Sequence, residues 1–200
     1  MESAPRQRRH KKTRQAILDA ARRIIAQQGI QELSMREIAR QIDYSPAGLY
    51  EYFDGKEEII QTLCSEGHQR LSAYIRQVDE NLPPADYLAA IGLAYIAFAL
   101  NNPEHYLLMF TNVPSKTQLE DMLSQGSSFP ILLQAIQRGI DAGVFKARPG
   151  FGLHEMAYAA WSLVHGISML RITYLEEFQL DFPVADREAL WAFNRGLQAG

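Results

Sequence analysis

The side chains best suited to binding a charged partner are gathered near the N-terminus. The segment RQRRHKKTR, residues 6–14, places six Lys and Arg cations within nine residues. Residues 1–56 carry 11 Lys and Arg against 7 Asp and Glu, whereas residues 57–200 carry 9 against 16. A basic end joined to an acidic body is typical of a segment that binds nucleic acid and a body with a different task. Basic tails are also common in proteins without such a partner, so the charge alone leaves both interpretations open.

A second group of candidate residues lies in SPAGLYEYFDGK, residues 45–56. Small side chains allow close approach to base edges or to a thymine methyl group, and three stand here: Ser45, Ala47 and Gly48. Hydroxyl and ammonium groups can reach phosphate oxygens, and three follow: Tyr50, Tyr52 and Lys56. The alternative is that the two tyrosines are partly buried core aromatics and that the segment only packs.

These residues need helices that present them at a surface. Thr13 can cap a first helix, TRQAILDAARRIIAQQG, whose apolar residues repeat at helical spacing and which ends at Gly29. Ser34 followed three residues later by Glu37 is a capping box that opens a second helix. The N-terminus of that second helix is expected to bind phosphate; its residues are Ser34, Met35 and Arg36.

The helical pattern breaks at Asp43, a residue type that tolerates the left-handed backbone of a tight turn. Ser45 then caps a third helix over residues 45–53, with Pro46 at its first position, where a missing N–H costs nothing. Lys56 begins a fourth helix, over residues 56–80, that runs into the rest of the chain.

Two short helices joined by a four-residue turn predict a helix-turn-helix at about residues 34–53, inside a three-helix domain at residues 12–57. Such a unit places its second helix in the DNA major groove while the first crosses the backbone. Residues 1–11 are polar, contain a proline and show no periodicity, so they are expected to form a disordered arm on phosphates or in the adjacent minor groove.

Residues 12–57 resemble the DNA-binding domain of the TetR (tetracycline-repressor) family of bacterial regulators. The matching pieces are TRQAILDAARRIIAQQG, LSMREIARQI and SPAGLYEYFDGKEE, with the signature LY-x-x-F-x-x-K. Three positions depart from the family pattern: Asp43 stands where glycine is usual, Tyr44 replaces a small aliphatic residue, and Gly48 stands where threonine is common.

The resemblance implies that residues 45–48 contact bases, that the aromatic hydroxyls and Lys56 contact or position the backbone, and that the start of the second helix contacts phosphate. The predicted DNA-binding residues are Arg8, Lys11, Lys12, Thr13, Ser34, Met35, Arg36, Ser45, Pro46, Ala47, Gly48, Tyr50, Tyr52 and Lys56.

Residues 58–200 are predicted to form a second, wholly helical domain. Breaks at NLPP, NNP, VPS, QGSSFP, ARPG and DFP divide it into about six further helices, about nine in the whole chain. The expected fold class is therefore all-α. The resemblance implies that this domain is a bundle that binds an effector and dimerises.

Residues 150–173 are apolar on nearly every face, which predicts a helix buried on all sides, partly against a second copy of the chain. The family resemblance likewise implies dimerisation through two helices of each chain. The predicted dimer-interface residues are Val164, Ile167, Leu190, Trp191, Phe193 and Leu197.

Aromatic residues cluster in the body and suggest a mostly apolar effector pocket, although a stripe of aromatic residues at helical spacing is usually core. The candidate pocket residues are Tyr95, Phe98, Met109, Phe110, Trp161 and His165. The segment AWSLVHG, with the pattern Trp-x-x-x-His-Gly, and the segment PEHYLLMF resemble a subgroup of TetR-type ligand domains.

Enzymatic, metal and membrane readings find little support. P-loop, GxGxxG, GxSxG and HExxH motifs are absent from the sequence, and neither a cofactor nor a metal is expected. Cys64 is the single cysteine, which favours a reducing, cytoplasmic setting and an inert thiol. The N-terminus lacks a secretory apolar segment, and the longest apolar runs are shorter than the ~20 residues that span a bilayer.

The sequence thus predicts a homodimeric, cytoplasmic and nucleoid-associated transcriptional regulator. It would be a repressor that a small apolar or aromatic molecule releases from a near-palindromic operator. Two alternatives stay open: an architectural or partner-recruiting DNA-binding protein without an effector, and an all-α enzyme.

Overall fold

The computed structural model describes residues 4–111, 127–175 and 177–199, and all regular structure in these ranges is helical. The chain divides into two compact units, Met1–Glu66 and Gly67–Gly200. The described part contains nine α-helices, which confirms the all-α prediction. They are α1 (Ala4–Gln28), α2 (Met35–Gln41), α3 (Pro46–Leu49), α4 (Lys56–Ile75), α5 (Pro84–Asn101), α6 (Pro103–Thr111), α7 (Ser128–Asp141), α8 (Leu153–Thr173) and α9 (Phe182–Ala199).

The basic arm is helical from residue 4 onward, so the prediction of disorder for residues 1–11 is wrong over its described part. α1 runs through the whole cationic segment without a break. Pro5 lies in its first turn, where a proline is tolerated, and the Arg, Lys and Gln residues that follow favour helix. Once the apolar part of α1 is anchored, each added residue extends an existing helix and avoids the cost of nucleation.

The core of the first unit forms around one face of α1. Ile17, Ala20, Ala21 and Ile24 are buried, as their helical spacing predicts, while Ile25 is partly exposed. A 3₁₀ turn, Ile30–Glu32, follows Gly29 and precedes α2.

Polar contacts fasten the same unit at its edges. Arg22 of α1 pairs with Asp19 and with Glu66 of α4. The guanidinium of Arg14 lies 4.5 Å from the centre of the Phe53 ring, which is itself buried. The first unit therefore includes the first half of α4, and the boundary falls inside α4 at Glu66–Gly67, beyond the predicted boundary at residue 57.

The second unit is built around α5, which packs against α7, α8 and α9. In the described residues, α5 is the helix whose length and composition would allow a membrane span. Its apolar side chains instead fill the core between neighbouring helices, which accounts for that composition; they include Tyr87, Leu88, Ile91, Tyr95, Ile96 and Phe98.

The predicted breaks mark most of the described helix ends. α4 ends at Ile75, before the expected residue 80, because Gln77 and Val78 already make tighter turns. Pro84 and Pro103 each stand at the start of a helix, and Gly150 adopts a positive φ of 76° in the turn before α8. The predicted break at VPS, residues 113–115, lies outside the described residues, as does the start of QGSSFP.

Candidate DNA-binding surface and ligand cavity

The start of α2 is fixed by a single cap. Ser34 has an extended backbone, and its hydroxyl accepts a hydrogen bond from the Glu37 N–H at 3.2 Å. The Glu37 carboxylate turns away from the cap and accepts two bonds from Arg40, at 2.8 and 2.6 Å. That ion pair holds the pKa of Glu37 below its ordinary value. Half of the predicted capping box is therefore present.

The turn between α2 and α3 forms as its residue types require. Asp43 has a φ of 53°, the left-handed conformation expected at this position. The next N–H, of Tyr44, bonds back to the Ala39 carbonyl at 2.9 Å. Ser45 then caps α3 by accepting from the Gly48 N–H at 3.0 Å, with Pro46 in the first position.

α3 is shorter than the predicted helix at 45–53. The α-helix covers Pro46–Leu49, after which Tyr50 and Tyr52 bond to carbonyls three residues back. Leu49 and Phe53 are almost fully buried, because they lie four residues apart on one face and the Phe53 N–H bonds to the Leu49 carbonyl at 3.1 Å. The recognition element is thus one α-helical turn followed by tighter turns.

The predicted DNA-binding side chains lie mostly at the surface of the first unit. Those classed as exposed are Arg8, Lys11, Lys12, Ser34, Arg36, Ser45, Pro46, Ala47, Tyr50 and Lys56. The remaining four are half-buried: Thr13, Met35, Gly48 and Tyr52. Tyr50 is 57% exposed, which excludes the interpretation of this tyrosine as a core aromatic.

Two residues outside the predicted set join this surface. The His10 ring lies 4.6 Å from the ring of Tyr52, and the Tyr44 ring meets Tyr52 edge-on at 6.2 Å. The hydroxyls of the two tyrosines are 3.5 Å apart. In the sequence, the departure of Tyr44 from the family pattern pointed to this position. The contact of His10 was not predictable, because it depends on α1 being helical at a segment expected to be disordered.

The second unit contains a cavity of about 60 Å³ with mostly apolar walls. Three of the six predicted pocket residues line it: Tyr95, Phe110 and Trp161. Sequence reasoning missed most of its other walls, which α4, α5, α7, α8 and α9 supply. The missed residues include His68, Ile75, Leu88, Ile91, Gly92, Phe129, Leu132 and Asn194.

The other three predicted pocket residues are displaced from the cavity. Phe98 is fully buried and packs edge-on against Tyr74 at 5.5 Å. Met109 lies against α4 at Gly67. His165 points into a hydrogen-bonded cluster beside the cavity. Apolar spacing alone does not reveal which members of one stripe reach a cavity and which pack elsewhere.

A chain of hydrogen bonds joins the cavity wall to His165. The Trp161 Nε1–H donates to the Tyr95 hydroxyl at 3.3 Å, and this hydroxyl is 3.1 Å from that of Tyr106. The Tyr106 hydroxyl lies 2.7 Å from Nδ1 of His165. Burial raises the pKa of Tyr95 to about 12 and that of Tyr106 further, and burial lowers the pKa of His165. All three groups are therefore neutral near pH 7, and the Tyr95 hydroxyl also lies 3.4 Å from Nδ1 of His165.

α4 and α6 touch closely beside the cavity. A Cβ built on Gly67 would lie 2.4 Å from the Met109 sulfur, so a larger residue at this position requires the Met109 side chain to move. One residue further along, the His68 ring meets the Phe110 ring edge-on at 6.0 Å. Both His68 and Phe110 also line the cavity, so α4 and α6 each supply part of its wall.

The predicted interface residues divide into buried and exposed groups. Val164, Leu190 and Leu197 are at most 7% exposed inside their own unit, so they offer little surface to a partner. Ile167 and Phe193 are half-buried, and Val164, Leu190 and Phe193 line the cavity. The exposed apolar surface of α8 and α9 is carried by other residues together with Trp191: Tyr158, Leu170 and Val184. α8 is therefore buried on one side by its own unit, and its burial against a second copy of the chain stays a prediction.

Groups that could support catalysis are sparse among the described residues, in which no cluster of three His, Cys, Asp or Glu side chains could hold a metal ion. Burial raises the pKa of the Cys64 thiol to about 11, so this thiol is a poor nucleophile at neutral pH. The helix-turn-helix and its exposed basic and hydroxyl-bearing side chains define instead a DNA-binding protein.

Comparison with known proteins agrees with this class. Residues 17–63 match the family of bacterial regulatory proteins called the tetR family. Residues 88–194, more than half of the chain, match the tetracyclin repressor-like C-terminal domain. The chain belongs to the TetR family of bacterial regulatory proteins.

Individual relatives extend the likeness over different lengths. The HTH-type transcriptional regulator UidR of Escherichia coli K12 is 34% identical over 88 residues, which are 43% of this chain and 45% of that protein, less than half its length. The HTH-type transcriptional regulator YfiR of Bacillus subtilis is 28% identical over 156 residues, 68% of this chain and 70% of the other. A tetR-family protein from Rhodococcus RHA1 has the same fold, with a TM-score of 0.74, 22% identity, and coverage of 93% of this chain and 97% of that one.

Proposed function

We propose that the protein is a homodimeric repressor that binds a near-palindromic operator and is released from it by a small apolar or aromatic ligand. The observation that carries this proposal is the combination of an exposed helix-turn-helix in one unit with a separate, aromatic-lined cavity in the other. Its partners are double-stranded operator DNA, a second copy of the chain and the ligand. It acts in the cytoplasm, in association with the nucleoid.

The exposed face of α3 supplies the base contacts in this proposal. Residues 45–48 stand at the start of α3, where a helix-turn-helix presents its residues to the major groove. The exposed Tyr50 and Lys56 flank that face and contact the DNA backbone, together with Ser34 and Arg36 at the start of α2. The cationic side chains on α1 add phosphate contacts from a helical extension.

The cavity is the ligand site in this proposal. Trp161, Phe110 and Phe129 supply aromatic faces, and the Tyr95 hydroxyl supplies a polar group. Such a set fits a flat, mostly apolar ring system with one polar substituent. In the Trp-x-x-x-His-Gly pattern of α8, Trp161 lines the cavity and His165 orients the hydroxyl behind it, which supports the proposed subgroup.

Dimerisation is proposed to use the exposed faces of α8 and α9. Tyr158, Leu170 and Trp191 are each at least 50% exposed. Exposed apolar side chains on two helices that pack against each other support an interaction surface there. Pairing two helices from each chain would cover them in a four-helix arrangement.

Coupling between ligand and DNA is assigned to α4. Its 20 residues span about 30 Å at ~1.5 Å per residue, and its second half contacts α6 beside the cavity. Two recognition elements must meet successive major grooves about 34 Å apart. A ligand that prefers a dimer with a different spacing lowers DNA affinity by that preference alone.

The first experiment is selection of random duplex DNA by the purified protein, followed by anisotropy titrations at several salt concentrations. A near-palindromic consensus is expected. Deleting residues 1–11 should flatten the slope of log affinity against log salt concentration, because phosphate contacts release counterions. An unchanged slope would mean that this part of α1 does not contact DNA. Weak, steeply salt-dependent binding without a consensus would favour an architectural protein.

Ligand binding can be followed separately because the chain has two tryptophans. Trp191→Phe leaves Trp161, in the cavity wall, as the remaining tryptophan reporter. A library of small aromatic compounds should contain one that quenches this fluorescence and also releases the selected operator. A binder that leaves DNA affinity unchanged would contradict ligand-controlled release, and Trp161→Phe serves as the control for the optical signal.

A further inference from the structure

Gly48 lies beneath an aromatic ring on the exposed side of α3. A Cβ built on this glycine would be 2.7 Å from Cε1 and 3.1 Å from Cδ1 of Tyr44, and 3.0 Å from the Ser45 hydroxyl oxygen. Contacts under 3.0 Å force a displacement, and both ring atoms belong to one rigid body. A side chain at position 48 and the present position of the Tyr44 ring therefore exclude each other.

The Tyr44 ring is held in that position by its neighbours. Its hydroxyl is 3.5 Å from the Tyr52 hydroxyl, and its edge faces the Tyr52 ring. Tyr52 is supported in turn by His10 of α1 at 4.6 Å. Tyr44 nevertheless keeps 41% of its surface exposed, next to the exposed residues Ser45 and Ala47. A fixed and open aromatic ring thus occupies the place of a missing side chain.

We propose that Tyr44 is a specificity-determining residue of DNA recognition, and that its ring takes over the base contact that the side chain at Gly48 is unable to make. This inference rests on the proposed operator binding by α3. Because the Tyr44 hydroxyl is directed to Tyr52, the ring carbons are the contacting surface. Ring carbons match the C5 methyl of thymine, the apolar group that the major groove displays.

The test compares the consensus selected by the wild type with those of three variants. Tyr44→Phe keeps the ring and should keep the consensus. Tyr44→Ala should lose about tenfold of the preference for thymine at one symmetry-related pair of positions, within the range of one base contact. Gly48→Ala should weaken the preference at the same positions, because its Cβ displaces the ring.

Two controls separate a direct contact from a structural effect. Replacing thymine by deoxyuridine at the affected positions removes the methyl group; it should weaken wild-type binding to the same degree and have no effect on Tyr44→Ala. Adding Gly48→Ala to Tyr44→Ala should change nothing further at those positions, since the ring is gone. Thermal melting confirms that each variant is folded. If Tyr44→Ala is not folded, the deoxyuridine comparison is made with the wild type and Tyr44→Phe alone.

Opposite results overturn the inference. An unchanged consensus for Tyr44→Ala, or a uniform loss for all sequences, would mean that Tyr44 reads no base. Loss of the consensus in Tyr44→Phe would assign the contact to the hydroxyl and contradict the role of the ring. If the wild type itself selects no consensus, the proposed operator binding fails, which is distinct from the failure of Tyr44 alone.

Discussion

Replacing Gly67 by alanine tests the contact between α4 and α6. The added Cβ would stand 2.4 Å from the sulfur and 2.8 Å from Cγ of Met109, and ordinary contact begins near 3.4 Å. The sulfur must therefore move by about 1 Å. Met109 is only 8% exposed, so it has little free space to enter.

Two opposing effects set the magnitude for Gly67→Ala. Overpacking a core position costs about 1–3 kcal/mol. Alanine in place of glycine inside a helix stabilises the helix by up to about 1 kcal/mol. The expected result is a net loss of up to about 2 kcal/mol. Each kcal/mol lowers the melting temperature of a chain of this size by roughly 2–4 °C.

The assay is thermal unfolding followed by circular dichroism at one fixed protein concentration. Gly196→Ala is the matched control, because a Cβ on Gly196 of α9 meets nothing within 4 Å; it should be neutral or slightly stabilising. In a Met109→Ala background the effect of Gly67→Ala should change sign, since the clash is gone. A loss of equal size with and without Met109 would refute the assignment of the cost to this contact.

Three further predictions concern the second unit. Tyr106→Phe should lower the free energy of unfolding, measured in urea, by about 1–3 kcal/mol, because the buried Tyr95 and the half-buried His165 each lose a hydrogen-bond partner. Tyr158→Phe is the control, since Tyr158 is 69% exposed, and an equal effect of this substitution would contradict the prediction. Stability should fall as the pH drops below about 6.5, because burial lowers the pKa of His165 and the unfolded chain binds a proton that the native state excludes. Urea titrations between pH 6.5 and 5 should show a weaker dependence for His165→Gln, and an identical dependence would assign it to other groups. Trp191→Glu should shift the protein toward monomer in light scattering while Trp191→Phe does not, and an intact dimer in the former would remove this side chain from the interface.

The sequence predicted the helix-turn-helix well because its boundaries depend on local chemistry. Ser34 and Ser45 cap the helices that follow them, and Asp43 takes the left-handed turn, as each residue type favours in isolation. The arm was predicted incorrectly because it lacks apolar periodicity, whereas its helix is an extension of an anchored one. A prediction that treats each segment separately does not include the extension of a helix from a neighbouring segment.

The cavity could be predicted only in part, because its walls are set by how six helices pack. Aromatic spacing identified Tyr95, Phe110 and Trp161, but adjacent members of the same stripes serve the core. Gly92 of α5 lines the cavity, and a Cβ there would approach Leu190 of α9 to 3.1 Å. The space at this position depends on how the two helices pack, which the sequence alone does not show. The expected interface residues show the same limit, since Leu190 and Leu197 turn inward.

The hydrogen-bond chain ending at His165 gives the cavity a polarity that its apolar composition does not suggest. The direction of this chain is set by the nitrogen of His165 that carries the proton. With the proton on Nε2, Nδ1 accepts from Tyr106, Tyr106 accepts from Tyr95, and the Tyr95 oxygen, which already accepts from Trp161, keeps one acceptor site for a phenol or an amine. With the proton on Nδ1, the bonds between these groups reverse, and the Tyr95 O–H is left to donate to a ketone or an ether. The tautomer of a histidine beside the cavity therefore selects between ligands that donate and ligands that accept.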